Sequence, residues 1–493
     1  MDKRSRTVSE LGMGCVGKQS AWFALIMFIV TALWGGEAYS QEESAAATEN
    51  LRYQLGKRVR RYELLWETSS KESRAASTDA MERAVQQFFR LDLISAAKSI
   101  DDAWLAMVPS PTALLRNAAP ISLSVSSPLL DATKPVISLT LNAVYTQPDG
   151  AWNSSAIVQI ELNPVLEIAN SKRQIKEVSL QSLPAKLEWS LDLLEPGDYQ
   201  LSATIQQAGA IASIVGTQIS IVTDKQSRLK AISGWIEENK RGAKTPSLCT
   251  ARMFGRQLLL ADRGKDFECD IPMSNWFREF ESIAFATPVD RPIDSSGRWQ
   301  VLSDGKVEQV VRIQMPNKPV VQTNLLFAFH GAGGSENMFF EAYGAGRLVE
   351  LAKLRNWVVV CPRQGLTGLS ISAGAMIPML ESELGLTFDR VFYVGHSMGA
   401  GQAIEQVSKS QERIDAVAAI GGGGNPRGSE AMKKIPFFVS AGERDFGRGR
   451  AKQLCESLRT LECKVEYSEY QDVEHLTIVQ ACLDDLFLFL DQR

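Results

Sequence analysis

The spacing of apolar positions changes several times along the chain. Residues 41–50 are small, polar and Ala-rich, which predicts a flexible segment. From Leu51 to about Val108, apolar residues recur at helical spacing, as in Ala84, Phe88, Phe89 and Leu91, until Pro109, Pro111 and Pro120 break the pattern. Between Ile121 and Thr223 the period becomes two. "ISLSVSS", "VISLTLNAVY", "SAIVQIEL", "KLEWSLDL", "YQLSATIQ" and "TQISIVTD" are short alternating runs separated by turn residues, and they predict a small antiparallel β-sandwich. Lys225 to about Ala286 returns to helical spacing. After it, "NLLFAF", "WVVVC", "RVFYV", "AVAAI" and "PFFVS" are nearly continuous apolar runs alternating with helical stretches. Strands of that kind are buried on both faces, so a mostly parallel sheet with helices on both faces is expected.

The predicted fold class is therefore multidomain, a C-terminal α/β unit with a mostly parallel sheet and helices on both faces, preceded by a helical segment and a small antiparallel β-sandwich. The expected segments are a signal peptide (1–40), a helical N-terminal region (41–110), a β-sandwich (115–224), a helical connector packing on one of its neighbours (225–290) and an α/β domain (291–493) in which the candidate catalytic residues discussed below fall. The stretch "LEPGDYQLSATI" resembles the turn and strand of immunoglobulin-like modules. The leader combines Lys3, Arg4, Arg6 and Lys18 with an uncharged run from Ala21 to Trp34. Ala38 and Ser40 then supply a small-residue cleavage pattern. Export to the periplasm or medium is expected, with membrane anchoring if the leader is not cut; no later segment is apolar enough to span a bilayer.

Composition narrows the partners. A net charge of −4 and an isoelectric point near 5.7 leave no basic excess for nucleic acid. The cluster Lys57, Arg58, Arg60 and Arg61 reads as a solvated helix face. Cys15 lies in the leader. The other cysteines (Cys249, Cys269, Cys361, Cys455, Cys463 and Cys482) would permit up to three disulfides in an oxidising compartment, and Cys361 fits a buried thiol on a strand. Their spacings do not suit zinc, and no metal or organic cofactor is implied.

The chemistry concentrates in Gly395-His396-Ser397-Met398-Gly399, placed between a predicted strand and a predicted helix. G-x-S-x-G in that context forces the serine into a strained turn and exposes its hydroxyl at the mouth of the sheet. A serine needs a base. The chain has 3 histidines: His396 adjoins the serine and would point away, and His330 ends an earlier strand. His475 is left as the base, in the order Ser, acid, His. Asp445 is the favoured acid, with Glu443 and Asp472 as rivals. An oxyanion hole would combine the amide of Met398 with that of Ala332 or Gly333, in the loop His330-Gly331-Ala332-Gly333-Gly334. His330 is expected to brace that loop.

"FHGAGGSENMFF", "YVGHSMGAG", "SAGERDFG" and "VEHLTIV" together resemble α/β-hydrolase serine esterases of the feruloyl esterase and polyhydroxybutyrate depolymerase-like kind, and are similar to prolyl-oligopeptidase catalytic domains. The resemblance runs from about Ser296 to Arg493 and implies Ser397, Asp445 and His475 as a triad. It departs from many members at Ala400 and at Glu474, where glycine is common. The leading expectation is an exported carboxylic-ester hydrolase acting on a small-molecule or polymer-linked ester. A serine peptidase and a non-catalytic binding protein of the same fold are the alternatives. Tyr145, Trp152, Trp189 and Tyr199 form no stripe and are expected in the sandwich core, so no ligand is assigned there.

Overall fold

In the computed structural model the described residues are 42–146, 156–166, 173–192, 194–240, 242, 244–265, 267–287, 297–318, 320–364, 370–409 and 413–493. The leader with Cys15, Trp152 and the expected start of the catalytic region lie outside them.

The described residues open with three long helices, α1 (Glu42–Thr68), α2 (Lys71–Phe89) and α3 (Leu93–Met107), followed by the short α4 (Ala113–Ala118). The residues expected to be flexible are thus already helical from Glu42. Ser70 and Asp92 cap α2 and α3 by accepting hydrogen bonds from Ser73 N and Ser95 N. The basic cluster on α1 is not a solvated face, which corrects that expectation. Arg58 is fully buried; it donates to Asp101 Oδ2 (3.1 Å), Gln54 Oε1 (3.0 Å) and the Pro120 carbonyl (3.1 Å). Arg61 pairs with the same Asp101 at 2.6 Å, and Tyr145, which is half-buried, donates to it at 2.9 Å. A buried pair so fully bonded ties the helices to the start of the sandwich. Removing one partner from such a pair typically costs about 3–5 kcal/mol.

The β-rich segment contains β1 (Ile121–Val125), β2 (Leu129–Asp131), β3 (Val136–Ala143), β4 (Ile157–Pro164), β5 (Gln174–Ser179), β6 (Ala185–Ser190), β7 (Gly197–Gln207) and β8 (Ala210–Val222). Sequence periodicity misses β2, which is three residues long, and β5, whose inward positions are only half-buried. The expectation of an antiparallel sandwich is corrected in part: β8 runs parallel to β2 and, through Ser122 and Val215, to β1. Inward residues of β1, β3, β4, β7 and β8 share one core, and Trp189 and Tyr199 are buried in it.

The connector consists of α5 (Lys225–Glu238), α6 (Pro246–Asp262) and α7 (Met273–Phe285). It packs on both neighbours rather than one. Its core takes in Leu129 and Val222 from the sandwich and Trp299 from the next sheet.

The last sheet is formed by β9 (Arg298–Ser303), β10 (Glu308–Gln314), β11 (Gln322–Phe329), β12 (Val358–Pro362), β13 (Thr387–His396), β14 (Ala416–Ile420), β15 (Phe437–Gly442) and β16 (Val465–Tyr470). Its order is β9-β10-β12-β11-β13-β14-β15-β16, parallel from β12 to β16 and antiparallel at the β9–β10 edge. The apolar runs split between two faces. Leu325, Phe327 and Phe329 meet α10 (Ala373–Leu384), α11 (Met398–Lys409) and α12 (Arg448–Thr460) on one side. Leu326 and Ala328 meet α8 (Met338–Glu341), α9 (Arg347–Leu354), α13 (Ile478–Ala481) and α14 (Leu483–Asp491) on the other. Each large side chain buried this way contributes roughly 1.5–3 kcal/mol, which explains the absence of polar alternation in these strands. All six described cysteines are buried free thiols, and Cys361 lies on β12. Among the described residues no helix is long and apolar enough to cross a membrane.

Candidate active site

Ser397 stands between the last residue of β13 and the first of α11, with φ +57°. A non-glycine residue in this left-handed region is strained. Two tight approaches hold it there. A Cβ on Gly395 would fall on the Gly399 carbonyl, and a Cβ on Gly399 would fall on the Phe329 carbonyl. The turn therefore admits no side chain two residues either side of the serine. Ser397 N donates to the Ile420 carbonyl at 2.8 Å, anchoring the turn to β14.

His475 and Asp445 come to this serine from the loops after β16 and β15. The Ser397 hydroxyl lies 2.9 Å from His475 Nε2, and His475 Nδ1 lies 2.6 Å from Asp445 Oδ1. With Nδ1–H donating to the carboxylate, Nε2 is left to accept the serine proton. Asp445 Oδ1 also accepts from Gly447 N at 2.6 Å. Both His475 and Asp445 are 4% exposed. The rival carboxylates lie elsewhere: Glu443 is exposed and accepts from Asp472 N at 3.4 Å, and neither touches His475 Nδ1.

The imidazole is held between rings. Phe446 covers it at a centroid distance of 3.8 Å, and His396 lies on another side at 4.7 Å. His396 Nε2–H donates to the His475 carbonyl at 2.8 Å, so this histidine braces His475 through its backbone. Burial, and then the neighbouring His475 charge, push the His396 pKa well below the usual histidine value. His396 is therefore neutral. His330 is also pushed down by burial; its Nδ1–H donates to the Gly331 carbonyl (2.8 Å) and its Nε2 accepts from Gln364 N (3.1 Å). It braces the glycine loop, as the sequence suggested.

That loop lies against the serine: a Cβ on Gly331 would approach the Ser397 Cβ at 3.2 Å. Gly331 N is already taken by Tyr343 Oη (3.1 Å), and Gly334 N by the Gly331 carbonyl (3.2 Å). The amides of Ala332, Gly333 and Met398 make no hydrogen bond to protein among the described residues. They are the amides expected at an oxyanion hole.

No protein-family model matches the chain. Solved structures similar to part of it include a mutant feruloyl esterase module from Clostridium thermocellum complexed with sinapinate, with 14% identity, 40% of this chain and 92% of that one covered, and a TM-score of 0.33. A highly thermostable carboxyl esterase from Bacillus coagulans matches at 11% identity, covering 40% and 98% of the two chains, with a TM-score of 0.33. An S-formylglutathione hydrolase from Agrobacterium tumefaciens matches at 16% identity, covering 42% and 98%, with a TM-score of 0.32. These neighbours are hydrolases of the esterase kind, and they span about two-fifths of the chain.

The remaining parts of the site come from regions that carry no motif. The Arg52 guanidinium of α1 donates to the Gly333 carbonyl, and Glu268 of the connector accepts from Ser335 Oγ and from Asn337 Nδ2. Thr78 of α2 donates to the Asp472 carbonyl at 2.6 Å, in the loop that carries His475. Arg444, next to Asp445 in the chain, pairs with Asp79 (2.9 Å) and Glu82 (2.7 Å) of α2. Arg60 donates to the carbonyls of Phe340 and Ala345, and Glu63 accepts from Ala345 N at 2.8 Å. The N-terminal helices are thus bonded to the loops carrying the glycines, Asp445 and His475. Between them and Ser397 lies a cavity of about 150 Å³.

Proposed function

We propose that this chain is an exported serine carboxylic-ester hydrolase working through an acyl-enzyme. The observation that carries the reading is the hydrogen-bonded line from Ser397 Oγ through the His475 ring to Asp445, starting at a serine held at φ +57°. In this mechanism His475 Nε2 takes the Ser397 proton as the oxygen attacks the ester carbonyl. Asp445 fixes the Nδ1–H tautomer and stabilises the imidazolium that forms. The amides of Met398 and of Ala332 or Gly333 hold the oxyanion. His475 then protonates the leaving alcohol, and water, deprotonated by the same nitrogen, hydrolyses the acyl-enzyme. No cofactor enters the scheme. Export rests on the leader at 1–40, and the substrate class is a small-molecule or polymer-linked ester.

Replacing Ser397 by Ala tests the proposal. Turnover of p-nitrophenyl acetate should fall roughly a millionfold in kcat, and peptide p-nitroanilides should stay essentially uncleaved by the wild type. Full ester turnover by the folded variant would rule the mechanism out.

A further inference from the structure

We infer that the N-terminal helices build the acyl-binding pocket, and that it takes an unbranched apolar acyl chain of about six carbons. The inference rests on the ester-hydrolase reading and names the substrate side that reading leaves open. The cavity that reaches Ser397 and His475 is walled by Leu55 and Val59 of α1, Met81, Ala84 and Phe88 of α2, and Ile100 of α3. None of these residues belongs to the sheet that carries the nucleophile. Polar side chains on the same wall are already engaged: Arg52 donates to the Gly333 carbonyl, and Glu268 accepts from Ser335 and Asn337. The bound group consequently meets carbon on most sides.

The assignment to the acyl side follows from the order of events. The alcohol has to depart before water attacks, whereas the acyl group stays on Ser397 through both steps. A recess covered by three helices suits the group that stays. Its capacity sets the length. An apolar cavity of about 150 Å³ holds a benzene-sized molecule, so the 150 Å³ here accommodates about six carbons. The helices are locked in place by the bonds of Arg60, Glu63, Thr78 and Arg444 partners described above, so the wall is part of the folded site and not a loosely tethered neighbour.

The test uses the full chain and p-nitrophenyl esters of acetate, butanoate, hexanoate, octanoate and decanoate, with the leaving group constant. Burying each methylene should raise kcat/KM about fourfold up to hexanoate, with a fall by decanoate once the space is filled. Ala84→Leu, which adds carbon to the recess, should lower the hexanoate-to-acetate ratio at least tenfold; Ile100→Ala should move the optimum to longer acids. A flat or falling wild-type profile, with acetate still turned over in a Ser397-dependent manner, overturns the pocket and leaves the esterase reading standing. So do unaltered ratios in the folded variants. No turnover of any ester overturns the esterase reading and the pocket together.

Discussion

The N-terminal helices and the C-terminal sheet meet at the same site and contribute to it in opposite ways. In the proposed mechanism the sheet supplies the reacting atoms, and each is fixed by local backbone geometry: a strained serine between two obligatory glycines, a proposed acid at a turn, a proposed base after the last strand. The helices supply no reacting atom in the proposed scheme. They hold the glycine loop through Arg52 and wall the cavity with carbon. Chemistry is compact in sequence because it needs a few groups at fixed distances. Recognition is dispersed because any apolar side chain of suitable volume can line a pocket.

The largest effects should fall on the sheet side. His475→Ala should cost roughly a millionfold in kcat and Asp445→Asn about 10⁴-fold, while Glu443→Gln and Asp472→Asn stay within about threefold of wild type. Steady-state kinetics on one ester separates these. A larger loss at Glu443 or Asp472 than at Asp445 would mean that the acid has been misassigned.

The helix side should respond differently. Without its guanidinium, Arg52→Ala releases the Gly333 carbonyl and lets the glycine loop drift. Misplacement of that order should lower kcat roughly ten- to a hundredfold with little change in KM for acetate, and Arg52→Lys should recover part of it. An unchanged kcat would break the contrast, because the helices would then only enclose the site.

The smallest effect is on stability. Burial raises the Glu63 carboxyl well above the usual glutamate range, so the folded chain retains a proton that the unfolded chain has lost. Its contribution is complete below the unfolded value of about 4.3 and is lost as pH rises through the raised folded value. Glu63→Gln removes that titration. Its Tm should therefore decline less than that of wild type between pH 5 and 9, by about one or two degrees, in thermal melts followed by circular dichroism. Parallel curves would mean that Glu63 stays ionised against Ala345.

The same contrast decides what could be read from the residues. The elbow was legible because glycine at positions 395 and 399 is the only solution to two backbone contacts. His475 was legible as the proposed base because the chain has 3 histidines, of which His396 adjoins the serine and His330 ends an earlier strand. Selecting Asp445 over Glu443 depends on how the turn into Gly447 orients its carboxylate, a geometry that residue types two apart do not encode. Arg58 and Arg61 looked solvated because their partner, Asp101, lies on another helix. The parallel pairing of β8 also depends on distant strands. The pocket wall left no local signature, since Leu55, Met81 and Ile100 look like any helical core positions.

The account turns on Ser397, and covalent labelling reads it most directly. A fluorophosphonate probe incubated with the folded chain, followed by peptide mapping, should place one adduct on the peptide bearing Ser397. His475→Ala should abolish that adduct. An adduct on a different serine, or folded wild-type protein left unlabelled, would contradict the proposed mechanism.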